Sequence, residues 1–270
     1  MIAIITMVSE SSKPFVDTAI LSAIEWNKGT RMYIAYENEN CSPELVGKLK
    51  DWELTSNKVI LVPTEKRPQP AVAHAHNDAL KEALMDEDNK YFARLDGDNY
   101  FLDHSLKLLK DALERKRVDM VYGDHLKAIW RGEWVIWGCS VSPPTIYAGE
   151  LIRELNKIPG NSIMYTRELA EKCGFWNTEY EGGWDVEFYV RALVHGFKIE
   201  KVLDGIIPIE VTRYHSNSAF AQSRQGENFE ETRWYRWRKR LWENRGWYRQ
   251  IQVRRMLGKN LEEVKNERNP

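Results

Sequence analysis

The stretch Tyr91-Phe92-Ala93-Arg94-Leu95-Asp96-Gly97-Asp98 joins an apolar run to two acids that are separated by one residue. Because strand side chains alternate between two faces, Asp96 and Asp98 lie on the same side of an extended chain. Gly97 carries no side chain, so another backbone or a phosphate can come close to it. Ligands of open α/β sheets bind beyond the carboxyl ends of the strands. The stretch therefore predicts a buried strand that ends at a site for a hard divalent cation, and such a cation suits a pyrophosphate.

The rest of the chain alternates between two kinds of pattern. Short apolar runs predict strands, and apolar residues at helical spacing predict helices. The predicted strands are residues 2–8, 31–36, 58–62, 90–95, 118–123, 198–203 and 206–211. The predicted helices are residues 14–27, 77–85, 166–173 and 185–195, together with one helix that Asp103 caps. A hairpin is predicted over residues 126–138, with its turn at Arg131-Gly132, and a surface loop over residues 140–159. This alternation predicts the α/β class, with a mainly parallel sheet covered by helices on both faces.

The composition is ordinary for a soluble globular protein. The chain has 270 residues, 43% hydrophobic and 29% charged, which is enough to bury a sizeable core. Cys41, Cys139 and Cys173 are scattered and form no CxxC pair, which favours a reducing compartment. The apolar run over residues 1–8 is too short to span a bilayer and has no basic leader, so we expect a cytoplasmic protein.

Charge is distributed unevenly along the chain. Residues 231–260 hold ten Lys or Arg and two Glu, a net charge of +8, whereas residues 1–230 carry a net charge of −8. We therefore expect an α/β domain over residues 1–230 and a basic, Trp-rich helical extension over residues 231–270. Three roles for the extension stay open: packing or homo-oligomer contact, peripheral membrane contact through residues 231–258, and, least favoured, a nucleic-acid backbone.

Two further segments carry residue types that suit a reaction. Trp184 and Asp185 follow a Gly-Gly pair at the start of a predicted helix, where free backbone N–H groups stabilise a carboxylate. Asp185 is then either a capping acid or a reactive one, and Trp184 is either a core anchor or a face for a sugar ring. His215 comes just after the last predicted strand. It can complete a metal site with Asp96 and Asp98, or it can be a solvated loop residue.

In their order along the chain, these pieces resemble family 2 glycosyltransferases of the GT-A fold. The resemblance covers about residues 2–218 and rests on Asp96-Gly97-Asp98, Gly160-Asn161-Ser162-Ile163-Met164, Glu171-Lys172-Cys173-Gly174-Phe175, Gly183-Trp184-Asp185, Arg191 and Gly196. It implies a Rossmann-like mixed, mainly parallel sheet flanked by helices. It also implies an inverting, Mn²⁺- or Mg²⁺-dependent transferase of polysaccharide biosynthesis. Such an enzyme moves a hexose from a nucleotide-diphosphate sugar of the UDP or GDP type to a hydroxyl of a glycan or lipid-linked glycan.

Roles for single residues follow from this resemblance. Asp96 and Asp98 match the DxD acids of the family, of which the first contacts the nucleotide and the second coordinates the metal. We place both acids, together with His215, in the expected metal set. Asp185 matches the general base, whereas Trp184 stands where the family has a Glu and is expected on the donor side. Arg224, in the loop that would close over the donor, is either a phosphate contact or a solvated side chain.

The base pocket departs from the family pattern. Residues 36–40 read Tyr-Glu-Asn-Glu-Asn where the family usually has Asp-Asp-Gly-Ser, so Glu37 is expected to recognise the nucleobase and Tyr36 to stack on it. Arg94 shares strand parity with Asp96. It is expected either to face the donor or to form a structural ion pair with that acid. The family's Arg-Asn pair before this strand is His76-Asn77 here.

Two alternatives remain beside the transferase. A nucleotidyltransferase usually has a Gly-rich basic loop after the first strand to bind phosphate. Residues 9–13 of this chain read Ser-Glu-Ser-Ser-Lys, which counts against this alternative. A non-catalytic sugar- or membrane-binding module with a degenerate transferase domain would explain Trp184 and the altered base pocket.

Overall fold

The computed structural model describes residues 1–67, 71–130, 133–143, 158–173, 175–180 and 183–215, which form two sheets and their flanking helices. The strands are β1 (Ile2–Val8), β2 (Thr30–Glu37), β3 (Val59–Thr64), β4 (Tyr91–Asp96), β5 (Tyr100–Phe101), β6 (Met120–Tyr122), β7 (Asp124–Trp130), β8 (Trp134–Ser140), β9 (Ile163–Thr166), β10 (Ile199–Lys201) and β11 (Pro208–Tyr214). The helices are α1 (Val16–Ile24), α2 (Pro43–Thr55), α3 (Ala71–Met85), α4 (Ser105–Lys116), α5 (Arg167–Cys173) and α6 (Trp184–Val194).

The larger sheet has the strand order β10-β6-β9-β4-β1-β2-β3. Its neighbouring strands are parallel except at β9, which runs antiparallel to both β4 and β6. Met7 of β1 lies opposite both Asp96 and Ala35, so the carboxyl ends of β4, β1 and β2 meet at one edge. The predicted mixed, mainly parallel α/β sheet is therefore confirmed, and Asp96 lies at the edge where ligands of such sheets bind.

Strand alternation sorts the side chains of β4 between two cores. Phe92 packs into a core that includes side chains of α3, α5 and α6, whereas Ala93 and Leu95 pack into one that includes side chains of α1, α2 and α4. Arg94 and Asp96 share the parity of Phe92, and so they lie on the side of α3 and α6. The smaller sheet, in the order β5-β11-β7-β8, begins just beyond Asp98.

Several local elements differ from the sequence predictions. Helix α2 was not predicted, although Ser42 accepts a hydrogen bond from the Leu45 N–H as its cap and Pro43 occupies a first-turn position. Strand β9 was also missed, because four residues are too few to show a period. The prediction that Asp103 caps α4 is wrong: His104 precedes this helix with φ of 57° and makes no side-chain cap. The predicted cap of α5 is confirmed, since the Thr166 hydroxyl accepts from the Leu169 N–H at 3.3 Å.

Some predictions fall on residues outside the described ranges. These are the turn at Arg131-Gly132, most of the loop over residues 140–159, and the extension over residues 231–270 with its proposed membrane, oligomer and nucleic-acid contacts. In the ranges that the structure does describe, every helix is too short or too polar to cross a bilayer.

A substitution at Gly123, which joins β6 of the larger sheet to β7 of the smaller one, tests how tightly the two sheets pack where they meet. A Cβ atom at this position would lie 2.1 Å from Cγ1 of Ile209, which is fully buried, and 3.2 Å from the Ile207 carbonyl oxygen. We expect Gly123→Ala to lower the free energy of unfolding by about 1–3 kcal/mol through overpacking. Gly47→Ala in α2, where nothing lies within 4 Å, should raise it by about 0.5–1 kcal/mol. Urea unfolding followed by circular dichroism measures both, and an unchanged midpoint for Gly123→Ala would contradict this packing.

Candidate active site

Asp96 is held on both of its carboxylate oxygens. Arg94 Nη2 donates to Oδ1 at 2.7 Å, and Asn161 Nδ2 donates to Oδ2 at 3.0 Å. The following Gly97 lies so close to the end of β1 that a Cβ atom would sit 2.9 Å from Val8 Cγ2 and 3.0 Å from the Met7 oxygen. The close backbone approach predicted for Gly97 is therefore present, and the partner is the neighbouring strand.

Asp98 lies beside His215, which the structure brings to it from the end of β11. The distance between Asp98 Oδ2 and His215 Nε2 is 3.1 Å. The His215 ring packs against Phe15 with 5.0 Å between ring centroids. Arg213 Nη1 also donates to the Asp98 carbonyl oxygen at 2.9 Å, and the Asn99 side chain accepts from the Arg213 N–H at 2.9 Å. Arg213 near the end of β11 and His215 just after it therefore hold Asp98 in place.

Asp98 and His215 supply part of the ligand set that a divalent cation needs. Asp98 supplies a carboxylate oxygen and His215 an imidazole nitrogen, a combination that suits Mn²⁺. No group of three or more His, Cys, Asp and Glu side chains in the described ranges is placed to hold a metal ion. Cations of this kind often take only one or two protein ligands and complete their shell with water and substrate phosphates. Because both oxygens of Asp96 are already engaged, Asp96 fits its predicted nucleotide contact better than its predicted place in the metal set.

Arg94 is only 8% exposed and interacts with Asp96, Asp185 and Glu210. Its guanidinium lies 4.6 Å from the centroid of the Trp176 ring, and Nη1 donates to the Gly160 carbonyl oxygen at 3.1 Å. Of the two predicted roles, the ion pair with Asp96 is the one that the structure forms. Nη1, Nη2 and one face of the guanidinium are engaged, while Nε has no hydrogen-bond partner among the described residues. Arg94 therefore has little left to offer the donor, which was the other predicted role.

Asp185 lies in the first turn of α6, close to the same glycine. A Cβ atom on Gly160 would lie 2.7 Å from Arg94 Nη1 and 3.1 Å from Asp185 Oδ2, so these two atoms are less than about 6 Å apart. Asp185 Oδ1 accepts from the Val186 N–H at 2.9 Å. Burial raises the pKa of the Asp185 carboxyl, while Arg94 and backbone N–H groups hold back part of that rise. The result is a carboxylate that is a stronger base than an exposed Asp.

Aromatic rings form the wall behind Arg94. The His76 ring stacks on Trp176 at 3.7 Å, and Trp184 lies nearly parallel to Trp176 at 5.9 Å. The Trp184 indole N–H donates to the Tyr180 carbonyl oxygen at 2.6 Å, and the Asn77 side chain pairs with both backbone groups of Trp176 at 2.8 and 2.9 Å. These contacts support the anchor interpretation of Trp184 and give His76-Asn77 a structural role.

The predicted base pocket is only partly in place. Tyr36 is 4% exposed and packs in the core that also holds Leu45 and Leu49 of α2, so its ring has no open face for a nucleobase. The predicted stacking by Tyr36 therefore does not fit the structure, because this side chain points into the core. Glu37, the last residue of β2, accepts a hydrogen bond from the Asn40 side chain at the ligand-binding edge. Arg224 lies outside the described residues.

Glu210 on β11 is a buried acid that the sequence analysis missed. It is 1% exposed, Oε1 accepts from the Thr212 hydroxyl at 2.9 Å, and Oε2 has no hydrogen-bond partner among the described residues. Burial, together with the charges of Asp96 and Asp98, raises the pKa of Glu210 to about 8. Glu210 is therefore mostly a neutral acid at pH 7. The sequence signal for this buried acid was its place within the otherwise apolar run over residues 206–211.

Comparisons with known proteins confirm the fold. No protein-family model and no curated protein sequence matches the chain. Residues 1–349 of S. aureus TarS, solved with UDP-GlcNAc, align with a TM-score of 0.59 and 14% identity over 80% of this chain and 59% of that one. The mannosyltransferase PcManGT from Pyrobaculum calidifontis, solved with GDP-Man and Mn²⁺, aligns with a TM-score of 0.56 and 16% identity over 82% of this chain and 59% of that one. The chain thus spans about three fifths of the length of these structures, and it has the predicted GT-A fold.

The raised pKa of Glu210 predicts a pH-dependent stability. The folded protein keeps this proton up to about pH 8, whereas the unfolded chain loses it near the ordinary value of 4.5. Wild-type stability therefore falls across that window, by up to about 1.4 kcal/mol per pH unit, and Glu210→Gln should be spared this loss. The advantage of Glu210→Gln in urea unfolding should grow from pH 5 to pH 8.

Glu187→Gln is the matched control for this experiment. Glu187 is also buried, but it is paired with Arg191 at 2.8 Å, so its replacement should lower stability. Parallel stability curves for the wild type and Glu210→Gln across the pH range would show that Glu210 is not a protonated acid.

Proposed function

We propose that this protein is a metal-dependent inverting glycosyltransferase that moves a sugar from a nucleotide-diphosphate sugar to an acceptor hydroxyl. One observation carries the proposal: Asp98 pairs with His215 just after β4, while Arg94, which binds the neighbouring Asp96, lies with Asp185 against Gly160. A transfer of this kind needs a site for the leaving diphosphate on one side of the reacting sugar and a base on the other.

The donor side is formed by the acids after β4. Asp98 and His215 would hold the cation, which when bound would stabilise the negative charge that develops on the leaving diphosphate. Asp96, fixed by Arg94 and Asn161, contacts the nucleotide part of the donor. TarS structures with UDP and UDP-GlcNAc and a mannosyltransferase structure with GDP-Man and Mn²⁺ support a donor of the UDP or GDP type and a cation such as Mn²⁺ or Mg²⁺.

The acceptor side is formed by the start of α6. Asp185 accepts the proton of the acceptor hydroxyl as that oxygen attacks the sugar, and a positioned base contributes on the order of 10²–10⁴ in rate. Its raised pKa brings it closer to the working pH than an exposed Asp would be. Attack from the side opposite the leaving diphosphate inverts the anomeric centre.

The nucleotidyltransferase alternative loses support at the loop after β1. Residues Glu10–Ser12 form a short 3₁₀ helix, and Glu10 accepts from the Ser42 N–H at 2.8 Å while Lys13 pairs with Glu44 at 2.6 Å. Both charges of this loop are thus used to hold α2, and no glycine opens the backbone for a phosphate.

The remaining parts of the proposal concern the acceptor and the extension. We retain a glycan or lipid-linked glycan as acceptor, a catalytic domain over residues 1–230, and a basic extension over residues 231–270 that contacts a membrane surface or a second copy. These rest on the family resemblance and on the charge of the extension. Vesicle co-sedimentation of the full chain and of residues 1–230 separates the two contacts, since only the membrane role requires the extension for vesicle binding.

Asp185→Asn tests the assigned base. A panel of UDP- and GDP-sugars is screened first by thermal shift and by donor hydrolysis, with Mn²⁺, with Mg²⁺ and with EDTA. We expect the variant to keep the thermal shift with the selected donor but to lose about 10²–10⁴ in transfer or hydrolysis rate.

Asp111→Asn on the exposed face of α4 controls for the loss of a carboxylate elsewhere. Near-normal turnover of Asp185→Asn would remove Asp185 as the base. Failure of every donor to bind or react with the wild type would overturn the proposed function itself.

A further inference from the structure

Asp96 and Asp185, the carboxylates with the two proposed roles, lie close enough to repel each other. Asp96 belongs to the donor side and Asp185 to the acceptor side, and the charge of Asp96 raises the pKa of Asp185. Burial of Asp185 strengthens this repulsion, since a like charge near a poorly solvated group disfavours its ionisation. A base that must be ionised before the hydroxyl attacks therefore needs a positive charge close by.

Arg94 is the cation that the described residues place between these acids. It binds Asp96 directly at 2.7 Å, and its Nη1 and Asp185 Oδ2 lie 2.7 and 3.1 Å from the point that a Cβ atom on Gly160 would occupy. Among the described residues, Asp96 from β4 and Tyr189, one helical turn along α6, also interact with Asp185. Glu210 from β11 interacts with Arg94 and Tyr189. Tyr189 donates its hydroxyl to the Pro159 oxygen at 3.2 Å and burial raises its pKa, so it stays neutral.

The surroundings of Arg94 leave it little freedom to move. The Trp176 ring lies against the guanidinium, and Trp176 itself stacks with His76 and lies nearly parallel to Trp184. The Gly160 carbonyl oxygen and the Asp96 carboxylate fix the edge. A planar fork held in this way fixes both the position and the direction of its charge, which a flexible lysine cannot do.

We propose that Arg94 is a positioning residue that couples the donor-side Asp96 to Asp185 and keeps Asp185 ionised as the base. This inference deepens the proposed function and rests on it for the role of Asp185. Arg94 itself exchanges no proton and makes no covalent bond. It acts through the two carboxylates, and substrate contact is left to Asp96 and Asp185.

Three variants at the crevice separate charge from structure. Arg94→Met keeps much of the stem but removes the charge, Arg94→Lys keeps the charge but loses the fork, and Asp96→Asn removes the repelling neighbour. We expect the pKa of Asp185 to rise by about one to three units in Arg94→Met. It should stay within about half a unit of the wild-type value in Arg94→Lys and fall in Asp96→Asn. The two opposite shifts are the signature of electrostatic coupling.

The pKa of Asp185 is measured in two independent ways. Carbon NMR of ¹³C-labelled aspartate, assigned with Asp185→Asn, follows the carboxyl directly in the full chain and needs no substrate. The acid limb of kcat/KM against pH, recorded with the donor that the screen selects, should move by the same amount and in the same direction. If the wild type transfers no sugar, the proposed function fails while the NMR titration still tests the coupling.

Arg167→Met is the matched control. Arg167 is another partly buried arginine that bonds backbone oxygens of Leu84, Asp86 and Asn89 and lies 5.9 Å from the Phe92 ring. Its loss should lower stability but leave the Asp185 titration unchanged. An unmoved Asp185 pKa in folded Arg94→Met would overturn the proposal. Should Arg94→Met not fold, a rise or no change in Asp96→Asn would overturn it equally.

Discussion

The ion pair between Arg94 and Asp96 is the interaction on which the rest of the crevice depends. Arg94 and Asp96 lie on the same face of β4, two residues apart, and form an ion pair. Arg94 also donates to the Gly160 carbonyl oxygen in the segment before β9. Arg94 interacts with Asp96, Asp185 and Glu210, so without this cation the three acids would share one region with no positive charge between them. Burial first, and then the charges of Asp96 and Asp98, raise the pKa of Glu210 to about 8, although Arg94 lowers it.

The elements around the crevice are arranged to keep that arginine in place. Asn77 of α3 binds the backbone of Trp176, whose ring lies under the guanidinium. Gly160 has no side chain, which lets Arg94 and Asp185 approach the same point from two sides. Asn161 holds the other oxygen of Asp96. Residues distant in sequence thus fix the two acids, and these contacts explain why a short segment before β9 contributes so much to the site.

The sequence predicts the larger part of the fold because its signals are local. β1, β4 and α6 follow from apolar runs, alternation and a Gly-Gly start, and the closeness of Asp98 and His215 follows from the family resemblance. The ion pair of Arg94 with Asp96 was one of two roles predicted from strand parity. The contacts of Asn161 and Glu210, and those of Arg94 with Gly160 and Trp176, could not be predicted, since they depend on which elements become neighbours. Tyr36 shows the same limit: its position at the end of β2 suggests a base contact, but strand parity turns its ring toward α2. Parity at a strand end changes with a single residue of register.

The proposed function places a diphosphate at Asp98 and His215 and the reacting sugar between them and Asp185. The most direct test is a crystal structure of the full chain soaked with Mn²⁺ and the nucleotide sugar that the screen selects. We predict an anomalous Mn²⁺ peak bonded to Asp98 and His215, the diphosphate on that peak, and the anomeric carbon on the side of Asp185. A nucleotide sugar bound elsewhere on the chain, with Asp98 and His215 free of metal, would contradict the account.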